Sequence, residues 1–135
     1  MKVEDHEQAY KEHIRNINRS IEEGIEENQR NLGFNISQGS VELISIYLHK
    51  LNLIQSSGDQ LDHRIFKSNS LSEKRLPIDF PEKQTILAIM RKIEEERNVV
   101  CYGKRKPNDR IEKIILLFNK LREIVNKGIN KNGKK

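Results

Sequence analysis

The sequence predicts an all-α fold, an antiparallel up-and-down bundle of four to five helices. Apolar residues recur at every third or fourth position along most of the chain, which is the period of an amphipathic helix. No segment shows the convincing alternation of a strand, and the chain contains no internal repeat of roughly 20 to 50 residues. We expect one domain over residues 1–128 and a basic disordered C-terminal tail over residues 129–135.

The first predicted helix covers about residues 6 to 32. Its apolar side chains lie at helical spacing with glutamates between them: Tyr10, Ile14, Ile17, Ile21, Ile25 and Leu32. Gly24 lies inside this segment and costs up to ~1 kcal/mol relative to alanine, so we expect a bend or a close helix contact there. Gly33 is expected to end the helix.

The second predicted helix runs from Ser37 or Ser40 to Leu53. Apolar residues surround almost its whole circumference: Val41, Leu43, Ile44, Ile46, Tyr47, Leu48, Leu51 and Leu53. Such a helix is normally central in a fold and covered on several sides, or is covered on one side by a partner subunit. His49 and Lys50 are expected on its one solvated stripe.

The segment of residues 59 to 78 is less regular, and we expect one short helix near residues 61 to 66 followed by a loop. A cap, a proline and a glutamate then mark the start of the third helix, which runs to about Arg97: Asp79, Pro81 and Glu82.

The fourth helix is predicted to begin at Asn108 or Asp109, and Lys127 with Gly128 mark its end. Its apolar side, together with that of the second helix, is difficult to cover in one bundle of this size. The sequence therefore favours a homodimer.

The net charge of +5 comes mainly from the C terminus, because the last ten residues contain four lysines and no acid. A specific phosphate site must therefore come from a local cluster, and Lys104, Arg105 and Lys106 form one. The chain shows neither a signal peptide nor an apolar run long enough to cross a bilayer, so a cytoplasmic protein without membrane contact is expected.

The common enzyme motifs are absent: the sequence has no phosphate-binding glycine loop, dinucleotide-binding motif, serine-esterase elbow or zinc-protease HExxH. No histidine follows a glutamate by three residues, as di-iron bundles require. We therefore expect no metal and no other cofactor, and interpret His6, His13, His49 and His63 as solvated surface residues. Cys101, the only cysteine, is interpreted as a packing residue.

Arg97 departs from the helical pattern, because it continues an apolar face of the third helix: Ile86, Met90 and Ile93. A charged group in that position must be paired, extend to water or face a cleft. Three glutamates on the same helix are candidate counter-ions for it: Glu94, Glu95 and Glu96.

The string from Arg97 to Gly103, RNVVCYG, resembles the motif of the HEPN superfamily, the higher eukaryotes and prokaryotes nucleotide-binding domain. That motif is an arginine, commonly followed by asparagine, and then a histidine after four to six intervening residues. Arg97 and Asn98 match it, and the helical architecture agrees. Tyr102 stands where the spacing of four places the histidine.

The resemblance implies a homodimer with a cleft at its interface, where Arg97 would hold a phosphate, Asn98 would assist, and Tyr102 would replace the base. A phenol with a reference pKa near ~10 is a poor base at neutral pH, so a ~10²- to 10⁴-fold loss of activity is expected. The resemblance therefore points to RNA or nucleotide binding with weak or absent catalysis, assisted by the basic cluster of residues 104–106.

Two alternatives stay open. Many HEPN proteins are metal-independent ribonucleases of toxin–antitoxin or defence systems, so the chain can instead be a slow endoribonuclease that uses Arg97 and Tyr102. It can also be a helical protein–protein interaction module with a partner such as a nucleotidyltransferase, as happens among HEPN relatives.

Overall fold

In a computed structural model, residues 1–54 and 61–133 are described, and all regular structure in these two segments is helical. They form five α-helices and one 3₁₀ helix: α1 (Val3–Glu23), α2 (Gln29–Lys50), the 3₁₀ helix (His63–Lys67), α3 (Asn69–Arg75), α4 (Lys83–Val100) and α5 (Asn108–Gly133). The predicted all-α fold is confirmed for this part of the chain. None of its helices is both long enough and apolar enough to cross a membrane.

Contacts between side chains show that α1 and α2 form an antiparallel pair. Near the start of α1, His6 bonds through Nδ1 to Oε2 of Glu42 at 2.6 Å. Further along α1, His13 bonds through Nδ1 to Oδ1 of Asn35 at 2.9 Å. Because later positions in α1 meet earlier positions in α2, the two helices run in opposite directions.

The same comparison places α4 antiparallel to α2 and α5 parallel to it. The start of α2 meets the end of α4 where Gly33 lies against Val100. Near the other end of α2, the Tyr47 hydroxyl donates to the carbonyl oxygen of Pro81, just before α4, at 3.2 Å. Tyr47 also packs on Gly128, late in α5. The four long helices therefore form an up-and-down bundle.

Helix α2 lies in the centre and contacts α1, α4 and α5. Phe34 of this helix is exposed, but eight other apolar side chains are buried: Leu32, Ile36, Val41, Leu43, Ile44, Ile46, Tyr47 and Leu48. Each fully buried side chain of this size contributes about 1.5–3 kcal/mol to folding. The prediction of a central helix is confirmed, and its cover comes from the same chain.

The break between the first two helices lies at Gly24, where φ is 125°, a conformation that side chains other than glycine rarely adopt. The predicted stop at Gly33 is wrong, since Gly33 lies inside α2. A Cβ atom at position 33 would lie 2.9 Å from Sγ of Cys101 and closer still to Val100. Gly33 is therefore required for the close approach of α2 and α4.

Residues 61–82, the described part of the link that directly precedes α4, contain more helix than predicted. The 3₁₀ helix lies close to the expected short helix, but α3 replaces part of the expected loop. The Ser68 hydroxyl accepts the N–H of Leu71 at 3.1 Å and so caps α3. At its other end, the buried Lys83 ammonium donates to Glu73 at 3.2 Å and to the carbonyl oxygen of Leu76 at 2.9 Å.

The start of α4 differs from the prediction, because Asp79 does not cap it. The Asp79 carboxylate accepts the N–H of its neighbour Phe80 at 3.0 Å, and the helix begins only at Lys83. Glu82, which was expected in the first turn, has φ 64° and precedes the helix.

The predicted end of the last helix at Gly128 is also wrong. Helix α5 continues to Gly133, so residues 129–133 of the expected tail are helical, and residues 134–135 lie outside the described part. A Cβ atom at Gly128 would lie 2.6 Å from the Tyr47 hydroxyl oxygen. Here too the glycine provides room for a neighbour, and does not end a helix.

Replacing Gly33 with alanine should lower the free energy of unfolding by about 1–3 kcal/mol, because the new methyl group overlaps Val100 and Cys101. Helix propensity alone would raise the free energy of unfolding, by about 1 kcal/mol. Urea unfolding followed by circular dichroism checks the sign. In the double variant Gly33→Ala/Val100→Ala, the loss should be smaller than the sum of the two single losses. A Gly33→Ala protein as stable as the wild type would contradict the contact.

Candidate functional site

Arg97 lies in the last turn of α4, and two of the three glutamates before it, Glu94 and Glu96, are paired with other residues. Glu94 is buried and bonds to Nδ1 of His63 at 2.8 and 2.9 Å. Glu96 is buried and pairs with Arg110 of α5 at 2.9 Å. Within residues 1–54 and 61–133, no ion pair involves Arg97. The guanidinium therefore has no carboxylate partner within these residues.

The hydrogen-bonding capacity of Arg97 is also incompletely used. Its Nη1 lies 3.4 Å from Oδ1 of Asn98, which is a long hydrogen bond. Its Nε is buried and has no hydrogen-bond partner in the part of the chain that the structure describes. Buried donors are nearly always satisfied, and an unsatisfied one costs about 1–3 kcal/mol. Arg97 thus carries a charge and a donor that no described residue satisfies.

The pKa of the Cys101 thiol depends on the charges of Arg97 and its neighbours. Burial raises the pKa of its thiol, while the positive charges of Arg97 and Arg30 act against that rise and Glu94 adds to it. The Cys101 Sγ also lies 3.8 Å from the carbonyl oxygen of Arg30. Arg30 and Arg97 therefore act on one thiol at the same end of the bundle. The raised pKa and half-buried position agree with the packing role expected for Cys101.

A cavity of about 220 Å³ opens at this end, between the first turn of α2 and the loop of residues 101–107 that joins α4 to α5. Its wall includes three basic side chains, those of Arg30, Lys104 and Arg105. Glu27 is the one acidic residue among those that line it. The cavity wall therefore has an excess of positive charge.

The α4–α5 loop is held against α2 by Gln29, a buried residue at the start of α2. Its side-chain amide donates to the carbonyl oxygen of Lys106 at 2.6 Å and accepts the Lys106 N–H at 2.9 Å. Arg30 donates to the carbonyl oxygen of Gly103 at 2.9 Å in the same loop. Three bonds thus fix the loop that carries the predicted basic cluster.

The predicted site residues occupy three kinds of position. Arg97 and Asn98 contact each other, and Lys104 and Arg105 lie on the cavity wall. The Arg105 side chain also donates to the carbonyl oxygen of Glu26. Lys106 contacts α2 through its backbone. Tyr102 is 61% exposed, and its hydroxyl has no hydrogen-bond partner within the described residues.

The prediction of solvated surface histidines is wrong. His6 is only 3% exposed and bonds to Glu42, and His13 and His63 are half-buried with polar partners. The Glu94 partner of His63 belongs to a run of three glutamates that resembles an exposed face. One local signal of its burial was available, because Glu94 follows the apolar Met90 by one helical turn.

Arg30 is a further site residue that the sequence did not indicate, because the predicted first helix included it. A larger groove of about 730 Å³ lies by the irregular link and is lined by both apolar and charged residues. One of its cations, Arg64, is already paired with Asp62 at 2.8 Å. Val100, three residues after Arg97, lines the smaller cavity, whereas no described residue of α4 lines the groove.

In the described segments, no group of three or more histidine, cysteine, aspartate or glutamate side chains is arranged to hold a metal ion. Comparison with known protein families, curated proteins and solved structures finds no match for this chain. Geometry and charge are therefore the grounds on which a function can be assigned.

The Arg97→Gln substitution should raise the pKa of the Cys101 thiol further, because it removes a positive charge that favours the thiolate. Alkylation with iodoacetamide over a range of pH measures this pKa without interference, since Cys101 is the only cysteine. Lys92→Gln, at an exposed position of α4, is the matched control and should leave the profile unchanged. Equal profiles for Arg97→Gln and the wild type would show that the guanidinium does not act on the thiol.

Proposed function

We propose that this protein is a HEPN-like domain that binds RNA or a nucleotide, with a phosphate group held by Arg97 in a cleft between two copies of the chain. The proposal rests on the unpaired charge and the unsatisfied hydrogen-bond donor of Arg97. Its charge has no counter-ion and its buried Nε has no acceptor within the described residues. A phosphate oxygen supplies both, and the planar guanidinium matches phosphate geometry.

The neighbouring cations extend this arrangement beyond one phosphate. Arg30 shares the surroundings of Cys101 with Arg97, and Lys104 and Arg105 line the adjoining cavity. No ion pair involves these three side chains in the described part of the chain. A row of unneutralised cations suits a polyanion, because each phosphate contact releases counter-ions.

Two exposed aromatic side chains lie at the same end of the bundle. Phe34 is 47% exposed and follows Gly33, which contacts Cys101, and Tyr102 directly follows Cys101. Bases of single-stranded RNA stack on exposed aromatic rings, with about 1–3 kcal/mol for each base. Rings beside cations therefore favour a single-stranded RNA over a lone phosphate.

The motif itself supplies little for catalysis. Tyr102 occupies the position of the motif histidine, and its exposed hydroxyl makes no hydrogen bond within the described residues. Weak or absent cleavage by Arg97, Asn98 and Tyr102 alone agrees with this arrangement.

Arg97→Gln should weaken binding of a fluorescein-labelled single-stranded RNA by about 10- to 100-fold at low salt, the range for loss of a hydrogen bond to a charged group. Fluorescence polarisation over a series of salt concentrations measures the affinity, and the salt slope should fall by about one. Arg15→Gln, an exposed position of α1, makes the same charge change and should bind normally. A wild-type protein without affinity for RNA, or equal losses in both variants, would sink the proposal.

The proposed cleft requires a dimer, so light scattering on the eluting protein should give twice the chain mass of 15.9 kDa. Adding RNA should leave that protein stoichiometry unchanged. A monomer at concentrations where RNA binds would contradict a cleft shared by two copies and place the site on one chain.

A further inference from the structure

His63 and Glu94 form a hydrogen-bonded pair that has no role in the phosphate binding proposed above. Nδ1 of His63 lies 2.8 and 2.9 Å from the two carboxylate oxygens of Glu94, which is 5% exposed. An ionised carboxylate can only accept hydrogen bonds, so Nδ1 carries a proton, and Nε2 carries the lone pair whenever the ring is neutral. The Nε2 atom is neither buried without a partner nor bonded to another described residue. This is the arrangement of a histidine base oriented by a carboxylate.

Glu94, the carboxylate of the pair, lies within about one helical turn of both motif residues on α4. Arg97 and Asn98 follow Glu94 by three and four residues, and positions at these two spacings are neighbours on a helix, about 5–6 Å apart at Cβ. Helical side chains also lean toward the N terminus, so Arg97 and Asn98 extend toward the turn that carries Glu94. The 3₁₀ helix that holds His63 packs against the same helix.

We propose that His63 and Glu94 are an acid–base pair that acts on RNA whose phosphate is held by Arg97, so that the chain is a ribonuclease. This inference rests on the proposed RNA binding. The missing motif histidine is replaced by one from the 3₁₀ helix, which comes 34 positions earlier than Arg97 in the sequence. Glu94 is the positioning residue and His63 the catalytic one.

The reaction is a transesterification that conserves atoms and electrons. His63 Nε2 removes the proton from a ribose 2′-hydroxyl, and the 2′-oxygen attacks the adjacent phosphorus. Arg97 stabilises the charge that develops on the phosphoryl oxygens. The bond from phosphorus to the 5′-oxygen breaks, and that oxygen takes a proton from water or from protonated His63. The products are a 2′,3′-cyclic phosphate end and a 5′-hydroxyl end.

The test compares cleavage and binding of a labelled single-stranded RNA by the full chain. His63→Asn should lower the cleavage rate by about 10²- to 10⁴-fold, the usual contribution of a general base, while RNA affinity stays within about twofold. Asparagine can still donate to Glu94 but has no basic nitrogen. His13→Asn is the matched control, because His13 is also half-buried and bonded to a polar side chain, and it should cleave at the wild-type rate.

Two further measurements separate chemistry from folding. Added imidazole should restore part of the activity of His63→Ala, which a purely structural role would not allow. In the wild type, the ring-proton NMR signals of His63 should shift on adding the 2′-deoxy oligonucleotide, which binds without being cleaved, while those of His13 stay in place. This second measurement holds even where a His63 variant fails to fold.

The outcomes distinguish this inference from the proposed function. Arg97-dependent RNA binding without cleavage, or cleavage at the wild-type rate by His63→Asn, overturns the acid–base pair and leaves the phosphate site standing. A His63 NMR signal that does not shift also overturns the acid–base pair and leaves the phosphate site standing. A wild-type protein that does not bind RNA overturns both.

Discussion

The close contact of α2 with α4 at Gly33 is the constraint on which the rest of this end of the molecule depends. Because position 33 has no side chain, Val100 and Cys101 pack directly on the α2 backbone. The start of one helix therefore meets the end of the other, and Arg30 and Arg97 are brought to the same thiol. Two like charges that meet without a counter-ion repel each other, and an anion relieves that repulsion.

The distribution of charge on α4 connects stability with the site. Two of its three consecutive glutamates are buried, and a buried carboxylate is costly unless it is paired. Glu94 faces the 3₁₀ helix and Glu96 faces α5, so each attaches α4 to a different neighbour. The same interactions leave Arg97 without a counter-ion among the residues that the structure describes. Packing of the bundle and the availability of the arginine are therefore two results of one arrangement.

Local patterns in the sequence predicted the long helices, the central position of α2 and the unusual place of Arg97 on an apolar face. The errors concern features set by distant residues. Gly33 and Gly128 were interpreted as stops, because the side chains that need their space come from other helices. The histidines were misjudged for the same reason, since His6 and His63 find their carboxylate partners 36 and 31 residues away. No periodicity within one helix contains such information.

The bonds between Gln29 and Lys106 have a consequence for motion. The first turn of a helix is among the parts of a protein that open most easily. Here the first residue of α2 holds both polar groups of one peptide in the α4–α5 loop. The helix end cannot fray without releasing the loop, and the loop cannot swing away without freeing the helix end. A molecule seated against either segment therefore slows the hydrogen exchange of both.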